Sequence, residues 1–145
     1  MADPLSIAGA AVGVISLAIQ GCQGLVQYYG SWKDSENNIA KMIASTETLV
    51  KMLKSLRVIL EEETFSDQVR EAVEESVRGC ATAVGELNVE IVKVRKSDKT
   101  TLTGKTQMAV RRLSYPFRES TLFKLQKIIA DMRENLLLAV EILQL

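Results

Sequence analysis

The chain has 145 residues, enough for one domain with a real core, and its 18 basic and 18 acidic side chains cancel to a net charge of zero. That balance gives no global attraction to nucleic acid. The absence of histidine removes histidine acid–base catalysis, Ser-His and Cys-His nucleophile pairs and histidine-ligated metals.

Five per cent aromatics and two prolines point to helices rather than a sandwich. Cys22 and Cys80 lie in apolar stretches with no close partner, which reads as buried, reduced thiols in a cytoplasmic protein. A secretory signal does not fit either, because the charge preceding the first apolar run is acidic, Asp3.

That run, Leu5 to Val26, holds 22 residues without a charge. As a helix it is about 33 Å long, close to the roughly 30 Å of a bilayer's hydrocarbon core. Asp3 and Pro4 suit its start and Gly30 its end near Tyr29. Ser6, Gly9, Gly13, Ser16, Gln20, Gln23 and Gln27 recur three and four apart and form one uncharged, weakly polar stripe. Leu5, Ala8, Val12, Ile15, Ile19, Cys22 and Val26 form an apolar seam, and Val14, Leu17 and Leu25 fill much of the rest. Gly9 and Gly13 make a GxxxG, the spacing of close helix approach in membranes and also of tight packing in soluble bundles. Tyr28, Tyr29, Trp32 and Lys33 stand where an interfacial aromatic belt would stand, or where a turn would pack.

After a turn at Gly30–Asp34, a second helix is expected from Ser35 to Glu62. Its core stripe is Ile39, Met42, Ile43, Thr46, Leu49, Val50, Leu53, Leu56 and Leu60. A third, capped by Thr64 or Ser66, is expected from Ser66 to Lys96. Its seam is Val69, Val73, Ser76 or Val77, Cys80, Val84, Leu87, Ile91 and Val94, weakened at Gly79 and Gly85. A polar loop follows, then a short helix over Gly104–Ser114 with Met108 and Leu113 inward. Pro116 should push Tyr115 out of helical geometry. A last helix over Glu119–Gln144 carries Leu122, Leu125, Ile129, Met132, Leu136, Ala139 or Val140, and Leu143. The expected fold is therefore an all-α helical bundle of four long helices plus one short one, a single domain over 1–145. The chain stops inside a strong helix without a cap, which points to a domain continued in a longer protein.

Two local patterns bear on chemistry. Thr103-Gly104-Lys105-Thr106 has the look of a phosphate-loop tail, but Lys99 stands where the first glycine belongs and no apolar strand precedes it. No catalytic residue, cofactor or metal site is expected. Charge is segregated: Lys93, Arg95, Lys96, Lys99, Lys105, Arg111, Arg112 and Arg118 against Asp98, and Glu61, Glu62, Glu63, Asp67, Glu71, Glu74 and Glu75 against Arg70. The basic group suits an anionic lipid surface, and the bland alternative is two solvated faces, or an acidic face meeting a basic one in an assembly.

The opening Met1-Ala-Asp-Pro-Leu-Ser-Ile-Ala-Gly, with its Gly- and Ala-rich continuation, resembles the start of HeLo-like domains, the N-terminal domains of fungal STAND (NLR-like) proteins. Tyr115-Pro-Phe-Arg-Glu-Ser-Thr-Leu, Lys124-Leu125, Arg133, Asn135-Leu136 and Leu138-Ala139 resemble the family's closing helix. The resemblance implies a cytoplasmic cell-death effector that self-associates and permeabilises membranes. Nucleotide-binding and repeat domains would follow it in the full-length protein. The membrane-directed helix maps onto Leu5, Ile7, Gly9, Val12, Gly13, Val14, Ile15, Leu17, Ile19, Leu25 and Val26. The alternative is an interaction and oligomerisation module whose first helix never leaves the core.

Overall fold

The computed structural model describes residues 4–34, 36–62, 66–97 and 114–143, and of 4–10 and 143 the backbone only. Asp3, Glu63, Thr64, the loop and short helix expected over 98–113, and the side chains of Leu5, Ser6, Ile7, Ala8, Gly9 and Leu143 lie outside that description. Five α-helices are described: α1 (Pro4–Tyr29), α2 (Asn37–Glu61), α3 (Asp67–Arg78), α4 (Ala81–Ser97) and α5 (Glu119–Leu143). Short 3₁₀ turns at Gly30–Trp32 and Tyr115–Phe117 follow α1 and precede α5. Among the described residues there is no strand, and the fold is a helical bundle.

The helices are arranged by which faces are apolar. Ala11, Ile15, Ala18, Ile19, Cys22, Leu25 and Tyr29 are all buried and form one face of α1. That face is covered by α2, α3 and α4, while α5 closes the far side against α2, α3 and α4. The α3–α4 column runs parallel to α1 and antiparallel to α5: Ser76 hydrogen-bonds Asn135, Cys80 reaches Met132, and Glu90 meets Lys124. On α2 the buried positions are Ile39, Met42, Ile43, Thr46, Leu49, Leu53, Leu56, Ile59 and Leu60. This is the expected stripe with Ile59 added and Val50 only half-buried. Thr46 is tolerated there because its hydroxyl donates to the Met42 carbonyl at 2.6 Å.

Two expectations are corrected. The long third helix is two helices. At Gly79, a poor helix former, the ladder tightens so that the Cys80 N–H donates to the Val77 carbonyl at 3.0 Å, and Val84 N–H to Cys80 opens α4 at 2.9 Å. Ser66 caps α3, accepting from the Val69 N–H at 3.4 Å. The apolar seam of α1 is also rotated from the expected one: Val12 and Val26 are only half-buried, while Ala11, Ala18, Leu25 and Tyr29 join Ile15, Ile19 and Cys22 in the core; of the other residues expected to fill the girth, Val14 is half-buried and Leu17 exposed. The close approach of α1 and α4 explains the rotation. A Cβ at Gly21 would lie 3.0 Å from Leu87 and one at Gly24 3.1 Å from the Arg95 guanidinium, so these two glycines, and not Gly13, let the helices meet.

The two faces of α1 should separate in a mutational test. Ile15→Asp puts an unpaired charge into a fully buried site and should abolish the cooperative melt seen by circular dichroism. Gln20→Glu, on the water face, should move stability by less than about 0.5 kcal/mol.

Candidate functional site

Polar side chains are gathered most closely where the end of α1, the end of α4 and the start of α5 meet. Ser114 is extended, at φ −77° and ψ 148°, and the chain then enters the Tyr115–Phe117 turn. Tyr115 thus lies inside a 3₁₀ turn, and the break expected at Tyr115 falls one residue earlier. Pro116 is buried, and its carbonyl accepts a hydrogen bond from the buried Tyr29 hydroxyl at 2.7 Å. Trp32 packs edge-on to Phe117 with ring centroids 4.8 Å apart, and Tyr28 edge-on to Tyr29 at 4.9 Å. Such pairs contribute about 0.5–1.5 kcal/mol beyond area burial. In this fold Tyr28, Tyr29 and Trp32 pack with Phe117 at the turn, as the turn-packing alternative expects.

Glu90 lies beside this aromatic knot and is 1% exposed. The Tyr115 hydroxyl donates to one of its carboxylate oxygens, and the Lys124 ammonium stands 3.2 Å from the other. An ionised carboxylate so buried is costly unless both oxygens are engaged, and here both are. The hydrogen bond to Glu90 pushes the Tyr115 phenol up to about 12, with burial and the Glu90 charge adding to it. The trio acts as a clasp: it holds the turn down on α4 and leaves neither a free base nor a nucleophile. Sequence reasoning missed Glu90. The signal was its register, because Leu87, Glu90, Ile91 and Val94 are spaced as one inward face.

The two thiols are free and buried, and burial raises Cys22 to about 12 and Cys80 to about 11. They fit the expected reduced thiols. Among the described residues there is no group of side chains that would hold a metal ion.

The expected membrane-directed and stripe residues separate by face. Gly13, Ser16, Leu17, Gln20, Gln23 and Gln27 meet water, while Ile15, Ile19 and Leu25 are core. The second glycine of the GxxxG, Gly13, has open space around it and serves no helix contact. No described helix is long and apolar enough to cross a membrane. Of the basic residues, Lys93, Arg95, Lys96 and Arg118 are exposed at one end of the bundle. Lys99, Lys105, Arg111 and Arg112, and the Thr103–Thr106 tetrapeptide, lie outside the described residues.

Bundle, clasp and solvated faces define a small all-α domain built around contacts between helices. Residues 2–142 match the family described as pigment biosynthesis cluster protein PigL N-terminal, and the chain belongs to that family. It is 35% identical over 135 residues, 91% of its length, to the azaphilone pigments biosynthesis cluster protein L of Monascus ruber. The chain spans 28% of that relative's length. No solved structure matches it.

The clasp can be read optically. Tyrosinate absorbance should show the Tyr115 phenol ionising near 12, and Glu90→Gln should bring it back toward 10. Because the folded value is the raised one, the stabilisation is complete below about pH 10 and is lost as pH climbs through 12.

Proposed function

We propose that this domain is a non-enzymatic helical interaction and oligomerisation module, carried at one end of a larger protein of a pigment biosynthesis cluster. The observation that carries the reading is the place of α1. The helix that a membrane attack would need is the one around which the core is built, and the described part of its polar stripe, Gly13 to Gln27, is already hydrated in the resting fold. Each fully buried side chain such as Ile15, Leu25 or Tyr29 contributes about 1.5–3 kcal/mol. Removing the whole face costs on the order of a domain's net stability, about 5–15 kcal/mol. What remains available without unfolding is the outer surface of the bundle, where Val89, Val92, Phe123, Leu137 and Leu138 stand in water. The relative's length, several times that of this chain, supports a module acting inside a larger protein.

A second reading is kept by one observation, the complete absence of charge over the 26 residues of α1. In it the HeLo-like resemblance is functional: the domain is the cell-death effector of a STAND (NLR-like) immune receptor in fungi. It self-associates when triggered, moves from the cytoplasm to an anionic membrane, and releases α1 to permeabilise it. The lipid surface must then offset the loss of the α1 core contacts.

Dye-loaded vesicles discriminate the two. The purified domain, alone and fused to an inducible oligomeriser, should release no dye from neutral or anionic vesicles. Release that Gln20→Glu changes while the fold stays intact would sink the interaction-module reading in favour of permeabilisation.

A further inference from the structure

α3 and α4 form one column between α1 and α5, so their outer faces lie on the same side of the bundle, next to the outer face of α5. Charge on that side is divided by height. The half beside α3 exposes Asp67, Glu71 and Glu75, with Asp131, Glu134 and Glu141 on the adjoining part of α5, against Arg78. The half beside the end of α4 exposes Lys93 and Lys96, with Lys124 and Lys127 on α5, against Glu119; Arg95 turns the other way, over Gly24 of α1. Between the two halves the surface is low but not apolar. Ala81, Thr82, Gly85 and the exposed Val89 border a trough of about 490 Å³ together with Glu86 and Lys124, and a second hollow of about 300 Å³ adjoins it, lined by Gly79 and Thr82 with the acidic Glu86, Asp131 and Glu134.

We infer that this α3–α4–α5 face pairs with the same face of a second copy of the chain, antiparallel, about a two-fold axis passing near Gly85. This rests on the interaction-module reading and names the partner. Antiparallel pairing sets the acidic half of each copy against the basic half of the other, which parallel pairing does not. It satisfies the requirement that a two-fold interface be self-complementary, residue i meeting j and j meeting i. The area is sufficient. At about 1.5 Å per residue the column is about 45 Å long, and two helices about 10 Å apart make a face about 20 Å wide. That is about 900 Å² per copy, against about 800 Å² for a specific interface of standard size.

Sedimentation equilibrium of the intact domain tests the pairing. The wild-type chain should be a dimer at about 200 μM in low salt, and its dissociation constant should rise about tenfold or more as salt screens the charges. Lys93→Glu with Lys96→Glu, and Glu71→Lys with Glu75→Lys, change exposed residues and should leave the circular dichroism melt intact while each makes the chain monomeric. An equimolar mixture of the two variants should dimerise again, because one now carries two acidic halves and the other two basic ones. Gly85→Trp, placed where a side chain meets open space in the monomer, should keep the fold and block pairing at the axis. A wild-type chain that stays monomeric, a mixture that does not pair, or a dimer untouched by Gly85→Trp each overturns this interface. None of these three results bears on the vesicle experiment, so the interaction-module reading stands or falls separately.

Discussion

Ala11, Ile15, Ala18, Cys22, Leu25 and Tyr29 recur three and four residues apart along α1, and the other helices are placed by how they cover that row. Coverage is close because α1 presents Gly21 and Gly24 to α4, which brings Leu87, Ile91 and the stem of Arg95 against its backbone. In return the Asn88 side-chain amide donates to the Leu17 carbonyl at 3.3 Å and to Val84 at 3.0 Å, so the contact between the two parallel helices is polar at its rim. The dry face of α1 thus fixes two neighbours by shape, and α5 is left to close what remains between α2 and the α3–α4 column.

The top of the bundle is secured differently, by hydrogen bonds of the buried Tyr29 hydroxyl, Pro116 carbonyl and Glu90 carboxylate. The Tyr29 hydroxyl and Pro116 carbonyl satisfy each other, as do Glu90, Tyr115 and Lys124. A buried network is worth keeping when every member is satisfied and becomes a liability when one is removed. These bonds specify one seat for the Tyr115–Phe117 turn among the many that aromatic packing alone would accept. The direction in which α5 sets off down the bundle follows from that seat.

How much of this could be read from residues alone depends on what kind of force places each part. Stripes such as Ile39–Leu60 on α2 were legible because burial repeats with helical period, and Ser66 was legible as a cap because its chemistry is local. The extent of α1 was legible for the same reason. Its facing was not, since a helix apolar over most of its girth gives periodicity little contrast, and the rotation that buries Ala18 and exposes Leu17 is set by glycines matched to another helix. Glu90 escaped for the opposite reason. A carboxylate on an inward face looks like an error until the phenol 25 residues away and the lysine of the next helix are seen beside it. The break at Gly79 was visible as a weak helix former, but whether a weak position bends is decided by what packs across it, here α5 through Asn135 and Met132.

The Tyr29–Pro116 hydrogen bond joins groups 87 residues apart in the chain, and that separation has a consequence for synthesis. α1 leaves the ribosome before the other described helices, with its apolar row complete, and its Tyr29 hydroxyl meets its partner only after another 87 residues. At about 5–20 residues per second that wait is of the order of ten seconds. The helices that cover the row in the finished fold, α2 and then the α3–α4 column, follow it in chain order. The absence of charge along α1, which makes it look like a membrane segment, also leaves its apolar row without a charged group to keep it in water during that interval.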